Sequence, residues 1–265
     1  MNMNDSKPPR MTIRVSSGSL AFAIAERDNA EHLAFHPYTI KSGVSISANL
    51  REAFKTEEWL QSTPRARLLI DTPVLLIPIE EYNEASIETL YRHSFPDTDS
   101  CVIMTRVLPD LNATALFAVN KDLLTVVSDH YHDVVCMPLM QPVWHYLHHR
   151  SFIGVHRKLF AHFHDGLLEL FSFERNRFVF SNRYEVKHQK DAVYFIFFVW
   201  KELALDQLKD ELYLSGDILN REELLPELQK NIKKVAVINP TADFNRAPMT
   251  AIKGITLDLL ALYLS

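Results

Sequence analysis

The sequence predicts an α/β protein of two similar halves, in which mixed sheets are flanked by helices. Three observations carry this. Strand and helix patterns alternate along the whole chain of 265 residues. Turn pairs Asp165-Gly166 and Arg175-Asn176 join apolar strands at 159–164, 167–173 and 178–186 into a meander. The order of elements beyond residue 150 then repeats the order before it: three meandering strands, a helix, a strand, a helix and a strand.

The first half opens with residues 1–10, polar and with two prolines, which lack the apolar stretch of a signal peptide and read as a tail. Strands follow at 12–15 and 20–25 around the turn Ser16-Ser17-Gly18-Ser19, and a third at 33–38. Leu50, Ala53 and Phe54 at helical spacing predict a helix over 47–61. Residues 67–78 are strand-rich with a break at Pro73. A helix at 85–93 precedes a hairpin of 101–107 with 114–119. A helix at 121–131, a strand at 134–138 and a helix at 143–150 complete the half.

In the second half, nine consecutive apolar residues, 192–200, follow Asp191 and continue into Lys201-Glu202-Leu203. Good helix formers and a capping residue favour a helix over a strand, and a helix apolar all round is expected to be buried all round, between its sheet and the opposite half. A strand at 212–215, a helix at 221–230, a strand at 235–238 and a Leu- and Ala-rich segment at 249–264 end the chain.

Composition narrows the function. A net charge of −5 draws the chain neither to nucleic acid nor to an anionic membrane, and no apolar run is long enough for a membrane span. The two cysteines, Cys101 and Cys136, sit in apolar strands, as buried reduced thiols do, which points to the cytoplasm. Glycine is scarce, 6 in the chain, so a glycine-rich loop converging backbone N–H groups on phosphate cannot be drawn. There are 12 histidines, yet His145, His148 and His149 read as boundary residues of one helix, and His130, His132, His162 and His164 show no metal-ligand spacing. Neither HExxH nor a nucleophile elbow is present. Trp59, Trp144 and Trp200 read as packing residues, and Glu80-Glu81 and 230–234 as solvated ends of elements.

The meander, the apolar helix and the strand closing on Gly216-Asp217 resemble the second half of an actin-like ATPase, the ribonuclease H-like superfamily of actin, sugar kinases and heat-shock chaperones. Ala115-Leu116-Phe117-Ala118-Val119, then Lys121-Asp122-Leu123-Leu124, then Val134-Val135, look like the actin-like proteins of type IV pilus assembly and type II secretion. Leu214-Ser215-Gly216-Asp217 after a Tyr/Phe-rich helix is similar to a bacterial family of unknown function with this fold. The resemblance implies two stacked domains, 1–150 and 151–248, with 249–265 crossing back onto the first. It places a nucleotide cleft at Ser17, Gly18, Ser19, Asp165, Gly166, Gly216 and Asp217.

Each motif departs from the superfamily pattern. Serine stands where the first hairpin should carry an aspartate, and a neutral hydroxyl lacks the charge that helps hold hydrated Mg²⁺. The hairpin Phe163-His164-Asp165-Gly166-Leu167 is too tight for a γ-phosphate loop. Gly216 is followed by Asp217, expected to cap the next helix and crowd a nucleoside. Ordinary hairpin turns account for Ser16–Ser19 and Asp165-Gly166 better than vestigial phosphate loops do. The expectation is a cytoplasmic pseudo-ATPase without catalytic residues, metal or cofactor, acting as an adaptor or assembly element through a protein partner, with self-association open. The alternative is an enzyme or switch that binds ATP with Mg²⁺, or another phospholigand, through Ser17, Ser19, Asp165 and Asp217.

Overall fold

The structure, a computed structural model, describes residues 9–25 and 32–265; of the tail expected over residues 1–10, residues 1–8 lie outside the described residues, while the Pro9 carbonyl accepts from the Thr63 hydroxyl and Arg10 pairs with Asp133. The first half begins with strands β1 (Met11–Val15), β2 (Leu20–Ala25) and β3 (Leu33–Tyr38), then helix α1 (Ile46–Thr56) and strand β4 (Arg65–Ile70). Helix α1 is capped by Ser45, whose hydroxyl accepts from the Ala48 N–H, and it buries Leu50, Ala53 and Phe54. The helix expected over 47–61 is two pieces: Glu57 turns extended, and a 3₁₀ turn, Glu58–Gln61, follows. An insertion, β5 (Val74–Pro78), α2 (Ile87–Ser94), β6 (Cys101–Leu108) and β7 (Ala113–Asn120), precedes α3 (Lys121–His130), β8 (Asp133–Pro138) and α4 (Met140–Ser151).

The second half runs β9 (Lys158–His164), β10 (Leu167–Glu174), β11 (Arg177–Glu185), α5 (Gln189–Glu202), β12 (Glu211–Gly216), α6 (Arg221–Gln229) and β13 (Lys234–Val237), and ends in α7 (Pro240–Asp243) and α8 (Leu257–Leu264). Its sheet has the order β11-β10-β9-β12-β13, and the first sheet has the order β3-β2-β1-β4-β8. In each, three antiparallel strands meet two parallel ones, with β1 against β4 in one and β9 against β12 in the other. The repeat read from the element order is therefore a repeat of topology. The insertion forms a third sheet, β5-β7-β6.

Three of the cores follow from this plan. One lies under the first sheet, where Leu50, Phe54, Leu123 and Val127 from α1 and α3 meet β1, β2 and β4. A second joins the second sheet to α5 and α6. A third lies between the halves: Ala23, Leu69, Trp144 and Leu147 of the first pack with Phe160, Phe171, Ile238 and α8. Helix α8 lies on α4 and reaches β1 and β2, where the Tyr263 hydroxyl is 2.7 Å from Thr12 Oγ1 and donates to the Ala23 carbonyl.

Helix α5 departs from expectation. Only Ala192, Ile196, Val199 and Trp200 are buried, while Tyr194 is 64% and Phe198 46% exposed. It covers the outer face of the second sheet and does not lie between the halves. His188 precedes it, and Asp191 sits at the third helical position, its carboxylate accepting from the His188 N–H. Cys101 and Cys136 are free and half-buried, less enclosed than expected, with burial raising the Cys136 thiol to about 11. Among the described residues, no helix is long and apolar enough to cross a membrane.

Candidate functional site

Strand β1 is buried along its length, and in it stands a single charged residue, Arg14. A guanidinium in that position must find its counter-charge inside the protein. Arg14 Nε donates to Asp258 Oδ2 at 2.8 Å, Nη2 to Asp165 Oδ2 at 2.7 Å and Nη1 to Ser19 Oγ at 2.8 Å. The three partners come from α8, the β9–β10 turn and the β1–β2 turn. Ser19 in turn donates its hydroxyl proton to Asp165 Oδ1 at 2.9 Å, and Ser16 Oγ lies 2.8 Å from Ser19 Oγ. The two hairpin turns are thus bonded directly to each other.

The network continues as a chain of alternating charges. His164 Nδ1 is 3.5 Å from Asp165, and its Nε2 is 3.6 Å from Glu169. Arg183 Nε is 3.8 Å from Glu169, and Arg183 Nη2 donates to Asp71 Oδ1 at 2.7 Å. The chain begins at Asp258, passes through Arg14, and ends at Asp71 in the loop after β4. Burial penalises the His164 imidazolium, but Asp165, Glu169 and Asp71 outweigh it and raise its pKa to about 9. Burial also opposes the Asp165 carboxylate; His164, Arg14 and Ser19 reverse that and hold it well below the usual carboxylate range. His162 stacks on His164 with ring centroids 5.4 Å apart. Burial, and then the charges of His164 and Arg14, hold it neutral, with Nδ1 3.0 Å from Ser215 Oγ.

The structure divides the residues assigned to a nucleotide cleft. Ser17 lines a cavity of about 740 Å³ with Ser47, Asp71, Asp122 and Arg183. Gly216 and Asp217 line a separate space of about 140 Å³, below the ~300 Å³ at which small-molecule sites begin. Ser19 and Asp165 belong to the Arg14 network. Asp165 and Gly166 have φ of 46° and 78°, as a type I′ hairpin turn requires. Gly18 has open space around its Cα and no left-handed φ. Gly216 has φ of 80°, and a Cβ there would lie 2.0 Å from the Phe163 carbonyl oxygen, so this glycine serves the packing of β12 on β9. Asp217 caps no helix: its N–H donates to the Phe163 carbonyl at 2.9 Å, and Asn220 precedes α6.

Histidine placement also needs correcting. His148 is buried, with Nε2 2.9 Å from the Arg175 carbonyl, and His162 and His164 are buried in the network. Among the described residues no three His, Cys, Asp or Glu side chains converge as metal ligands. Sequence reasoning passed over Arg14, Asp258, Asp71, Glu169 and Arg183. The signal for the first two was there: each is a lone charge in an apolar run, Met11-Thr12-Ile13-Arg14-Val15 and Leu257-Asp258-Leu259-Leu260.

Solved structures share this architecture. A Bacteroides thetaiotaomicron protein described as having an actin-like ATPase fold and unknown function superposes with a TM-score of 0.84 at 24% identity, over 100% of this chain and 99% of that one. The type IV pilus biogenesis complex PilM–PilN gives 0.56 at 13% identity, over 98% of each chain. The ethanolamine utilization protein EutJ from Carboxydothermus hydrogenoformans gives 0.50 at 9% identity, over 98% of this chain and 90% of that one. A search of curated proteins returns no match. These likenesses establish the actin-like ATPase fold. Residues 1–235 match the family described as protein of unknown function (DUF3822), and the chain belongs to that family.

Proposed function

We propose that this chain is a pseudo-ATPase: a non-catalytic, cytoplasmic scaffold of two stacked actin-like domains that works by holding a protein partner. The observation that carries the reading is the Ser19–Asp165 hydrogen bond bridged by Arg14. By resemblance, the two hairpins these residues occupy are the ones that would hold phosphates between them. Here a guanidinium and two hydroxyls fill that place, bonded to one another and to Asp165 and Asp258. A nucleotide reaching from Gly216 to Ser17 would have to break this network, expelling a buried cation from its two carboxylates. The phospholigand alternative needs one continuous cleft, and its contact residues lie in two separate spaces and in the plug between them. A neighbour solved as the PilM–PilN complex supports a partner-binding role for this fold.

The test is the thermal midpoint of the purified protein with and without millimolar Mg·ATP, alongside phosphate release. A nucleotide at about 100 times its dissociation constant would add about 2.7 kcal/mol to the folded state. The expected result is no shift and no turnover. Saturable ATP hydrolysis that disappears in Asp165→Asn would overturn the reading.

A further inference from the structure

The cavity of about 740 Å³ on the Ser17 side of the plug has a composition of its own. Its walls are the β1–β2 turn, the first turns of α1 and α3, the loop after β4, and β11. Ser16, Ser17, Ser45 and Ser47 line it, with Ser16 bonded to Ser19 and Ser45 capping α1, and no aromatic side chain does. Three carboxylates, Asp71, Asp122 and Glu185, face one guanidinium, Arg183, which is already engaged by Asp71 and Glu169. The N–H groups that open α3 are taken by the Asn120 side chain, which accepts from Asp122 and Leu123. Carboxylates outnumber the guanidinium, so the balance of side-chain charge in the site favours a cation. Without aromatic walls it also lacks a platform for a nucleobase.

Two buried polar atoms in this wall have no partner. The Asp71 side chain is 3% exposed, and its Oδ2 accepts no hydrogen bond; Arg183 Nη1 donates none. An unsatisfied buried acceptor costs roughly 1–3 kcal/mol, so such groups call for an explanation. A ligand that donates to Asp71 Oδ2 and accepts from Arg183 Nη1 would satisfy both. The volume falls within the ~300–1,000 Å³ of small-molecule sites.

We infer that this cavity binds a small, hydroxyl-bearing primary amine, its ammonium held by Asp71 in the field of Asp122 and Glu185, its hydroxyls by Ser17, Ser47 and Arg183. Calorimetric titration of the full chain with glucosamine, glucose and glucose 6-phosphate tests this, because one ring carries an amine, a hydroxyl or a phosphate in turn. Galactosamine and serinol vary the hydroxyl arrangement around the amine. At least one of the three amines should bind saturably, about tenfold or more tighter than glucose, a difference of about 1.4 kcal/mol, while glucose 6-phosphate gives no binding. Asp122→Asn lies on an exposed helix start and leaves the fold intact; it should weaken amine binding several-fold. Asp71→Asn should abolish it in protein that keeps its circular dichroism spectrum. The inference fails if none of the three amines binds, if glucose 6-phosphate binds as well as they do, or if Asp122→Asn binds them unchanged. These readouts are independent of ATP, so failure here leaves the scaffold reading standing, and the reverse also holds.

Discussion

Arg14 keeps 4% of its side chain exposed, and both its carboxylate partners are largely or wholly enclosed with it. Removing one member of such a group strands the opposite charges in low dielectric, which costs more than the group contributes when whole. Arg14→Met should therefore lose about 3–5 kcal/mol of unfolding free energy, read from urea melts. Two stacked histidines should shape the pH profile of stability in opposite senses. His164 has a folded pKa of about 9, above its ordinary 6.5, so its contribution is complete below pH 6.5 and lost as pH rises through 9. His162 is held well below 6.5, so its neutral ring contributes above that value and the contribution is lost as pH falls below it. His130, His145 and His148, lowered by burial, add to the acid side. Stability should peak near pH 6.5, and His164→Gln should flatten the alkaline arm while only softening the acid arm, because burial still holds His162 neutral. An alkaline arm that persists in that variant would remove His164 from the account.

At the scale of elements, the two glycines nearest the old motifs exchange roles. Gly18, the apparent survivor of a phosphate loop, has no neighbour that a methyl would strike; Gly216→Ala would drive a methyl into the Phe163 carbonyl at a left-handed φ. Gly18→Ala should change stability by less than about 0.5 kcal/mol and Gly216→Ala should cost about 2 kcal/mol or more, measured by the same melts. The outward face of α5 offers a second comparison. Phe198→Glu on the exposed side should stay within about 0.5 kcal/mol of the parent, whereas Ile196→Ala on the buried side should lose about 2–5 kcal/mol. The strands were legible because alternation and turn pairs such as Asp165-Gly166 are local signals. The facing of α5 was not, because nine apolar residues in a row contain no polar residue to mark the solvent side. The site was half legible. Ser19 and Asp165 were found by position, but the residue that joins them was hidden in a strand that reads as plain core, and its partner Asp258 lies 244 residues away. No local rule connects the two.

The whole molecule is tied at its middle. Trp144 and Leu147 share one core with Phe160, Phe171, Met249 and α8. Tyr146 and Arg150 of α4 both bond Asp243, and Arg183 reaches back to Asp71. A chain ending at residue 151 would expose that core and strand Arg14 without Asp165 or Asp258. It should show no cooperative thermal transition, while the full chain melts in one. The bond between the two hairpin turns has a further consequence. Where a bound triphosphate braces two lobes, cleaving or releasing it lets them part, and the protein keeps time by its own turnover. A brace built from Ser19, Asp165 and Arg14 is part of the polypeptide and has no leaving group. On the scaffold reading proposed above, the relation between the two hairpins does not wait on nucleotide turnover, and control would rest on synthesis, destruction and the abundance of a partner.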